Sequence, residues 1–377
     1  MKFTVSSAEF LKALNVVSGA VPSKSTLPIL SCILFERAED AIRLSATDLE
    51  ISIIQSLPVQ FETNGATAQS NRIAVPAKRL LDTLRALPDI PIQFSADDEF
   101  NVLLTTDQGR YKMVGFDGAD YPALPDLSGT PAIQTDAGLL RRAIQKTSFA
   151  VSKDALRPAM MGIYFQIGPE QGRAVATDGH RLVKLQVDDL TSDEALNFIV
   201  PEKALGLTGR IAAEGDCSIT VDGGYVGFDF GDSKVLARII DETYPNYEAV
   251  IPLDNERRMT VSRDAMLAAV RRVGLYSSSM TNQIRLSLQP NQVEISAEDI
   301  ERSSEAKETV QCEYDSEPMV IGFNAVYLNE VLGNVDAEDV VFEFSSPNRA
   351  GVVTPAEQEE GERILMLIMP VMLNTYA

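Results

Sequence analysis

Three stretches of the chain carry the same succession of apolar and polar positions. FTVSSAEFLKALNVVSGAV from Phe3, IQTDAGLLRRAIQKTSFAV from Ile133 and MTVSRDAMLAAVRRVGLYS from Met259 open on a two-residue alternation and pass through Ser, Thr or Asp into apolar residues at helical spacing. That order predicts a short strand, an N-cap and an amphipathic helix. The three starts lie 130 and 126 residues apart. A second set falls in the same register: AVPAKRLLDTLRAL from Ala74, IVPEKALGLTG from Ile199 and IGFNAVYLNEVLGNV from Ile321. In the first two, a proline is expected in the first helical turn, where its missing N–H is harmless. Between and after the helices run alternating segments such as AIRLSATDLEISI, GRAVATDGHRLVKLQV and NQVEISAEDIERS. Their β-branched content predicts partly buried strands. One unit therefore reads β-α-β-β-β twice over, and the chain holds three such units.

Unit ends align at YPALP from Tyr121, YPNYEAVIP from Tyr244 and MPVML from Met369, which predicts three α+β domains at 1–127, 128–254 and 255–377 with no long linker. A chain of 377 residues with 45% hydrophobic content can fill their cores. Cys32, Cys217 and Cys312 are isolated in sequence, which argues against a disulfide framework or a thiolate metal site, so no cofactor is expected. The opening MKFTVSSAEF lacks the apolar run of a secretory signal or membrane span, and a reducing cytoplasm is the expected location. His180 is the single histidine, so a histidine-based metal cluster is ruled out.

The formal charge of -21 excludes a uniformly basic nucleic-acid binder. Charge is nevertheless segregated by element. The predicted helices at 7–20, 76–87, 136–150, 201–208, 262–276 and 323–332 sum to +5, against -26 for the rest of the chain. Weakly basic helices could surround a nucleic-acid backbone while the acidic strands and loops stay outside, contacting phosphate without reading bases. Ordinary solubility accounts for the same imbalance on its own.

The opening MKFTV, TLPIL at Thr26–Leu30, ATDLE at Ala46–Glu50, VATDGHRL at Val175–Leu182, IGFN at Ile321–Asn324 and MP at Met369–Pro370 occur in one order along the whole chain. Together they resemble the bacterial DNA polymerase III beta subunit, the family of replicative sliding clamps. The resemblance implies a noncatalytic processivity factor: a head-to-tail homodimer of six similar domains, with outer sheets and twelve inner helices around double-stranded DNA. It implies the DNA polymerase III alpha subunit, the clamp loader, and other polymerases and repair proteins with clamp-binding peptides as partners, and association with the nucleoid. Subunit closure is expected between Asn101–Phe116 of one copy and the region around Ala297–Ser304 of the other.

By the same resemblance Lys24, Lys78, Lys153, Arg157 and Lys203 are candidate DNA contacts, Lys153 and Arg157 in a segment, VSKDALRPAMMG, that departs from familiar clamps. A peptide pocket is implied at Thr177, Gly179, His180, Arg181 and Leu182, at Pro245 and Val250, at Asn324 and Tyr327, and at Leu367, Met369, Pro370 and Val371. Aliphatic and sulfur-bearing groups there would hold apolar anchors while a few polar groups orient the peptide. Core packing is the competing reading for the apolar members, Leu367 above all. The chain ends MPVMLNTYA, with Met372 at a position where many clamps carry a basic residue, and PAEQEEGER before the last strand reads as a solvated turn.

Two other functions fit parts of the sequence. Asp178, Asp216, Asp229 and Asp232 offer carboxylates for a metal-dependent hydrolase, but form no recognised ligand spacing with His180. A noncatalytic peptide-binding scaffold would share the pocket without needing a closed ring.

Overall fold

The computed structural model of the chain describes residues 1–62 and 71–373. The first repeat runs β1 (Lys2–Ser6), α1 (Ser7–Ser18), β2 (Cys32–Arg37), β3 (Ala41–Thr47), β4 (Ile51–Pro58), β5 (Gln60–Phe61), β6 (Arg72–Pro76), α2 (Ala77–Ala86), β7 (Pro91–Ala96), β8 (Asn101–Thr105), β9 (Arg110–Val114) and β10 (Phe116–Asp117). The second runs β11 (Ala132–Asp136), α3 (Ala137–Ser148), β12 (Gly162–Ile167), β13 (Gly172–Thr177), β14 (Arg181–Val187), β15 (Leu196–Pro201), α4 (Glu202–Ile211), β16 (Asp216–Asp222), β17 (Tyr225–Asp229) and β18 (Ser233–Arg238). The third runs β19 (Arg257–Ser262), α5 (Arg263–Gly274), β20 (Gln283–Gln289), β21 (Gln292–Asp299), β22 (Ser304–Tyr314), β23 (Met319–Asn324), α6 (Ala325–Gly333), β24 (Asp339–Phe344), β25 (Gly351–Pro355) and β26 (Glu362–Ile368). Apart from the two-residue β5 and β10, each repeat is the predicted β-α-β-β-β unit twice over.

Local chemistry recurs with the repeat. The first helix of each is capped by the side chain before it: Ser6 accepts from the Glu9 N–H (3.4 Å), Asp136 from Leu139 (2.9 Å) and Ser262 from Ala265 (3.5 Å). The prolines lie one step earlier than expected. Pro76 and Pro201 are the last residues of β6 and β15, and the helices begin at Ala77 and Glu202. Pro76, at φ -54° and ψ 111°, ends the strand in extended backbone and takes the cap position without an N–H to satisfy. The repeated Thr-Asp is turn chemistry. Asp48 accepts from the Glu50 and Ile51 N–H groups (3.1 and 2.8 Å), and Asp178 from His180 and Arg181 (2.9 and 3.0 Å). The residue after the aspartate has positive φ in both turns, 88° at Gly179 and 79° at Leu49. Leu49 carries the strain that glycine avoids.

The sheets do not stop at repeat boundaries. In one compact unit, Met1–Arg141 with Lys203–Ile239, a nine-stranded sheet is ordered β10-β6-β2-β3-β4-β18-β17-β16-β11. Its joint is antiparallel β4–β18, with Ile53 opposite Val235. A five-stranded sheet, β5-β1-β7-β8-β9, completes that unit and ends on β9, which among the described residues pairs only with β8. In the other unit, Arg142–Glu202 with Ile240–Ala377, twelve strands are ordered β15-β12-β13-β14-β26-β25-β24-β19-β22-β21-β20-β23. There the joint is β14–β26, with Val183 opposite Met366. A stacked and edge-to-face aromatic core, Phe3, Phe10, Phe35 and Phe94, seats α1 against both sheets of the first unit.

PAEQEEGER is mostly an exposed turn, as expected, but its Glu362 is buried and pairs with Arg142 at 2.5 Å. No helix of the described residues is long and apolar enough to cross a membrane. All three cysteines are buried and free. Burial raises the Cys32 thiol to about 11 and the Cys217 thiol to about 12, and it raises Cys312 as well. An acid whose pKa rises stays neutral to higher pH, so native thiols should resist a thiol reagent at pH 8.5, where about half of an unfolded cysteine is thiolate. Titration with a chromogenic disulfide should find no fast-reacting thiol in the native protein and three after denaturation. A fast native thiol at pH 8.5 would contradict this burial.

Candidate functional site

The exposed cations expected to meet DNA divide into two sets. Lys24, in the loop after α1, Lys78, in the first turn of α2, and Lys153, after α3, are exposed. The other two are engaged within the protein. Lys203 opens toward solvent at the start of α4 but pairs with the turn carboxylate of Asp48. Arg157 binds Asp154 at 3.0 Å and donates to the Asp178 carbonyl at 3.0 Å, so it lies over the 178–181 turn. The paired helices add cations whose partners are also local. Arg85 of α2 reaches Asn15 of α1 at 3.3 Å, Arg271 of α5 reaches Asn329 of α6 at 2.8 Å, and Arg272 forks onto Glu308 at 2.8 and 2.6 Å. An exposed ion pair of this kind contributes little to stability and can exchange for another anion.

The second surface is built around one turn and the end of the chain. Thr177 and Asp178 fold the β13–β14 turn, Thr177 accepting from the Gly179 N–H (3.1 Å) and donating to the Arg181 carbonyl (2.7 Å). His180 is thereby presented to solvent, its ring parallel to that of Tyr327 with centroids 5.8 Å apart. Tyr327 stands in the first turn of α6, which Asn324 caps by accepting from Val326 and Tyr327 (2.9 and 3.3 Å). The chain end then binds both sides. The Met369 N–H donates to the His180 carbonyl at 2.8 Å, and the Val371 N–H to the Gly322 carbonyl at 2.9 Å. Beneath lie Leu182 and its cross-strand partner Leu367, packed with Tyr244 and Tyr247. Pro245 between those tyrosines is half-buried, while Val250 and Met369 are 54% and 40% exposed, leaving apolar surface at the rim.

Four of the expected lining residues are therefore support. Thr177, Arg181, Leu182 and Leu367 are buried, so an incoming chain would meet His180, Tyr327, Met369, Pro370 and Val371 first. Arg181 is the keystone, because its guanidinium bonds Asp178 (3.2 Å), Glu330 and the Phe149 carbonyl (2.6 Å). It also lies 4.7 Å from the Tyr327 ring and 5.3 Å from Phe149. Removing Arg181 would leave the 13%-exposed Asp178 carboxylate without its cation, whereas Glu330, 39% exposed, would be compensated by solvent. Glu330 and Phe149 escaped the sequence reading because nothing local marks them. Asp178 spends its carboxylate on the turn and on Arg181, and Asp229 bonds the Gly231 N–H (2.9 Å) and Lys234 (3.6 Å).

Gly322 has a role that spacing did not reveal. Leu373 lies on it so closely that a Cβ there would fall 2.7 Å from Leu373 Cδ2 and 2.8 Å from the Val371 carbonyl oxygen. Gly322→Val should therefore lift 371–373 from β23 and free the Val371 amide, with Met369 held through its own bond to His180. Hydrogen exchange should quicken at least about tenfold at Val371. Unchanged protection would show that the tail does not depend on this seat. Asn374–Ala377, the extension beyond Leu373, lie outside the described residues.

Profiles of the DNA polymerase III beta subunit match in order across the chain: the N-terminal domain at residues 1–125, the central domain at 134–246 and the C-terminal domain at 248–371. The chain is 32% identical to the beta sliding clamp of Caulobacter vibrioides over 357 residues, covering 92% of this chain and 94% of that one. It is 32% identical to that of Synechococcus elongatus over 384 residues, covering all of both. A crystal structure of the sliding clamp of Pseudomonas aeruginosa bound to griselimycin superposes with a TM-score of 0.91 at 29% identity, over 99% of this chain and 100% of that one.

Proposed function

The chain belongs to the DNA polymerase III beta subunit family, and from that premise we propose how its surfaces divide the work of a sliding clamp. A clamp of this family is a noncatalytic processivity factor: it closes as a dimer around duplex DNA and holds the polymerase there. We assign the repeats to 1–127, 128–254 and 255–377, Lys24, Lys78 and Lys153 to transient phosphate contact, and Lys203 and Arg157 to contacts that require their ion pairs to exchange. The work is expected in the cytoplasm, on the nucleoid.

The single observation that carries the closed form is the repeated joint. Strand β4 of the first repeat pairs with β18 of the second, and β14 of the second with β26 of the third. By position in the repeat the remaining strands of these two kinds are β22 and β9. Among the described residues β9 has one neighbour, and β22 pairs with β21 along Ser304–Gln311 but reaches β19 only at Cys312–Tyr314. A third joint of the same kind, β22 of one copy with β9 of the next, uses both open edges and closes a head-to-tail pair. The free edge of β22 thus begins at Ser304, at the end of the expected Ala297–Ser304 span, and continues to Gln311.

The surface at His180, Tyr327, Met369, Pro370 and Val371 is the proposed dock for short apolar peptides of the polymerase alpha subunit, the clamp loader, and other polymerases and repair proteins. Its floor is apolar and its polar groups are committed to holding the walls, so burial of side chains would supply affinity while the tail backbone sets direction.

Loaded by clamp loader and ATP, the protein should persist on closed circular DNA and be lost rapidly once the circle is cut, because a ring leaves only by a free end. Equal retention on both forms by a loaded dimer with unblocked ends would mean surface binding and defeat this reading. Tyr327→Ala should weaken a clamp-binding peptide by about 2 kcal/mol, roughly thirtyfold, without changing retention on circles. Calorimetry showing equal affinity in the variant would move the dock elsewhere.

A further inference from the structure

The repeats provide an internal comparison that exposes a second candidate site. After each Tyr-Pro, a linker crosses the outer face of β2–β3–β4 or of β12–β13–β14. Tyr121 and Tyr244 are equivalent anchors, Tyr121 accepting from the Thr47 N–H at 3.2 Å and Tyr244 donating to the Val175 carbonyl at 3.4 Å. Cross-strand register then equates Glu36, Arg43 and Ser56 with Gln166, Arg173 and Gln186, since each trio forms one row.

In the second linker this row is covered from within the chain. The Tyr247 hydroxyl donates to Gln166 Oε1 at 2.5 Å, and Arg173 donates to Glu248 Oε1 at 3.0 Å. Tyr247 is 5% exposed. In the first linker the corresponding residues are Leu124 and Pro125, which carry neither a phenol nor a carboxylate. A cavity of about 640 Å³ lies at this place, lined by Leu34, Glu36, Arg43, Ile54, Leu124 and Leu236 among others. Glu36 is held by Arg72 at 2.9 Å. The exposed Arg43 guanidinium has no hydrogen bond or ion pair among the described residues, whereas its counterpart Arg173 holds Glu248.

We propose that this groove is a second binding site, for a partner polypeptide that brings an aromatic residue followed by an acidic one. The ring would lie against Ile54 and Leu124, above the buried Leu34, and the carboxylate would meet Arg43, the interaction that Glu248 supplies in the other linker. Asp126, Asp229 and Asp232 stand at the same groove with Lys234. They oppose a polyanion such as nucleic acid more strongly than a single carboxylate paired with Arg43.

The test uses the whole protein, with methyl-labelled leucine and isoleucine, and an acetylated, amidated pentapeptide copying residues 245–249. Its addition should shift the methyls of Leu34, Ile54, Leu124 and Leu236. Arg43→Glu should weaken binding at least about tenfold, as loss of a charge-assisted hydrogen bond implies. A peptide with glutamine for its glutamate should weaken equally. Grafting the other linker's pair, Leu124→Tyr with Pro125→Glu, should fill the groove and abolish binding. Absence of shifts at millimolar peptide, or binding indifferent to both Arg43→Glu and the glutamine peptide, would overturn the proposal. So would shifts at the rim of Tyr327 and Met369 alone. Retention of Arg43→Glu on circular DNA reports separately on clamp function.

Discussion

A β-sheet cannot leave long rows of backbone N–H and C=O groups unmatched without inviting association, and the whole chain is arranged around that constraint. Each repeat is too narrow to cover its own edges. The solution is to pass the edge to a neighbour: β4 takes β18, and β14 takes β26. The compact units of the fold consequently combine parts of different repeats, with Met1–Arg141 joined by Lys203–Ile239 in one of them. Two joints serve three repeats in a single chain, and the same edges remain over at β9 and β22. In the closure proposed here, dimerisation continues an intramolecular pairing.

The edge constraint also shapes the proposed peptide surface. Because β14 and β26 are paired strands, Leu182 and Leu367 meet across the joint, and the residues after β26 emerge beside the 178–181 turn. A backbone bond from Met369 to His180 and another from Val371 to Gly322 then tie the chain end to the second and third repeats together. Arg181 reinforces the place by holding Asp178, Glu330 and Phe149 while its guanidinium faces Tyr327.

These arrangements were unequally legible in the sequence. Strands, helices and caps follow local periodicity, and the Ser6, Asp136 and Ser262 caps recur because each helix start has the same orphan N–H groups. AIRLSATDLEISI and GRAVATDGHRLVKLQV alternate like single strands, and alternation does not disclose that a turn divides each of them, or that Leu49 stands where Gly179 does with a left-handed backbone. Long-range pairs were invisible: Arg181 with Glu330, Arg142 with Glu362, and Lys203 with Asp48 depend on segments brought together only by sheet order. Resemblance supplied a set of lining residues, but not that Thr177, Arg181, Leu182 and Leu367 among them are buried. A periodic strand residue such as Leu367 looks the same whether it forms the floor or a wall.

Net charge and function are reconciled by where the binding free energy is required. A protein of charge -21 that had to grip DNA by contact would work against its own field. A closed ring needs no such grip, because escape requires a joint to open, and phosphate contacts need only be weak enough to exchange as the ring moves. An exposed ion pair such as Lys203–Asp48 contributes little to stability, so on the proposed reading its cation could exchange one anion for another at small cost. Acidic strands and loops can then supply solubility without opposing retention. Strong attraction would be the less useful design, for it would fasten the ring to the place where it was loaded.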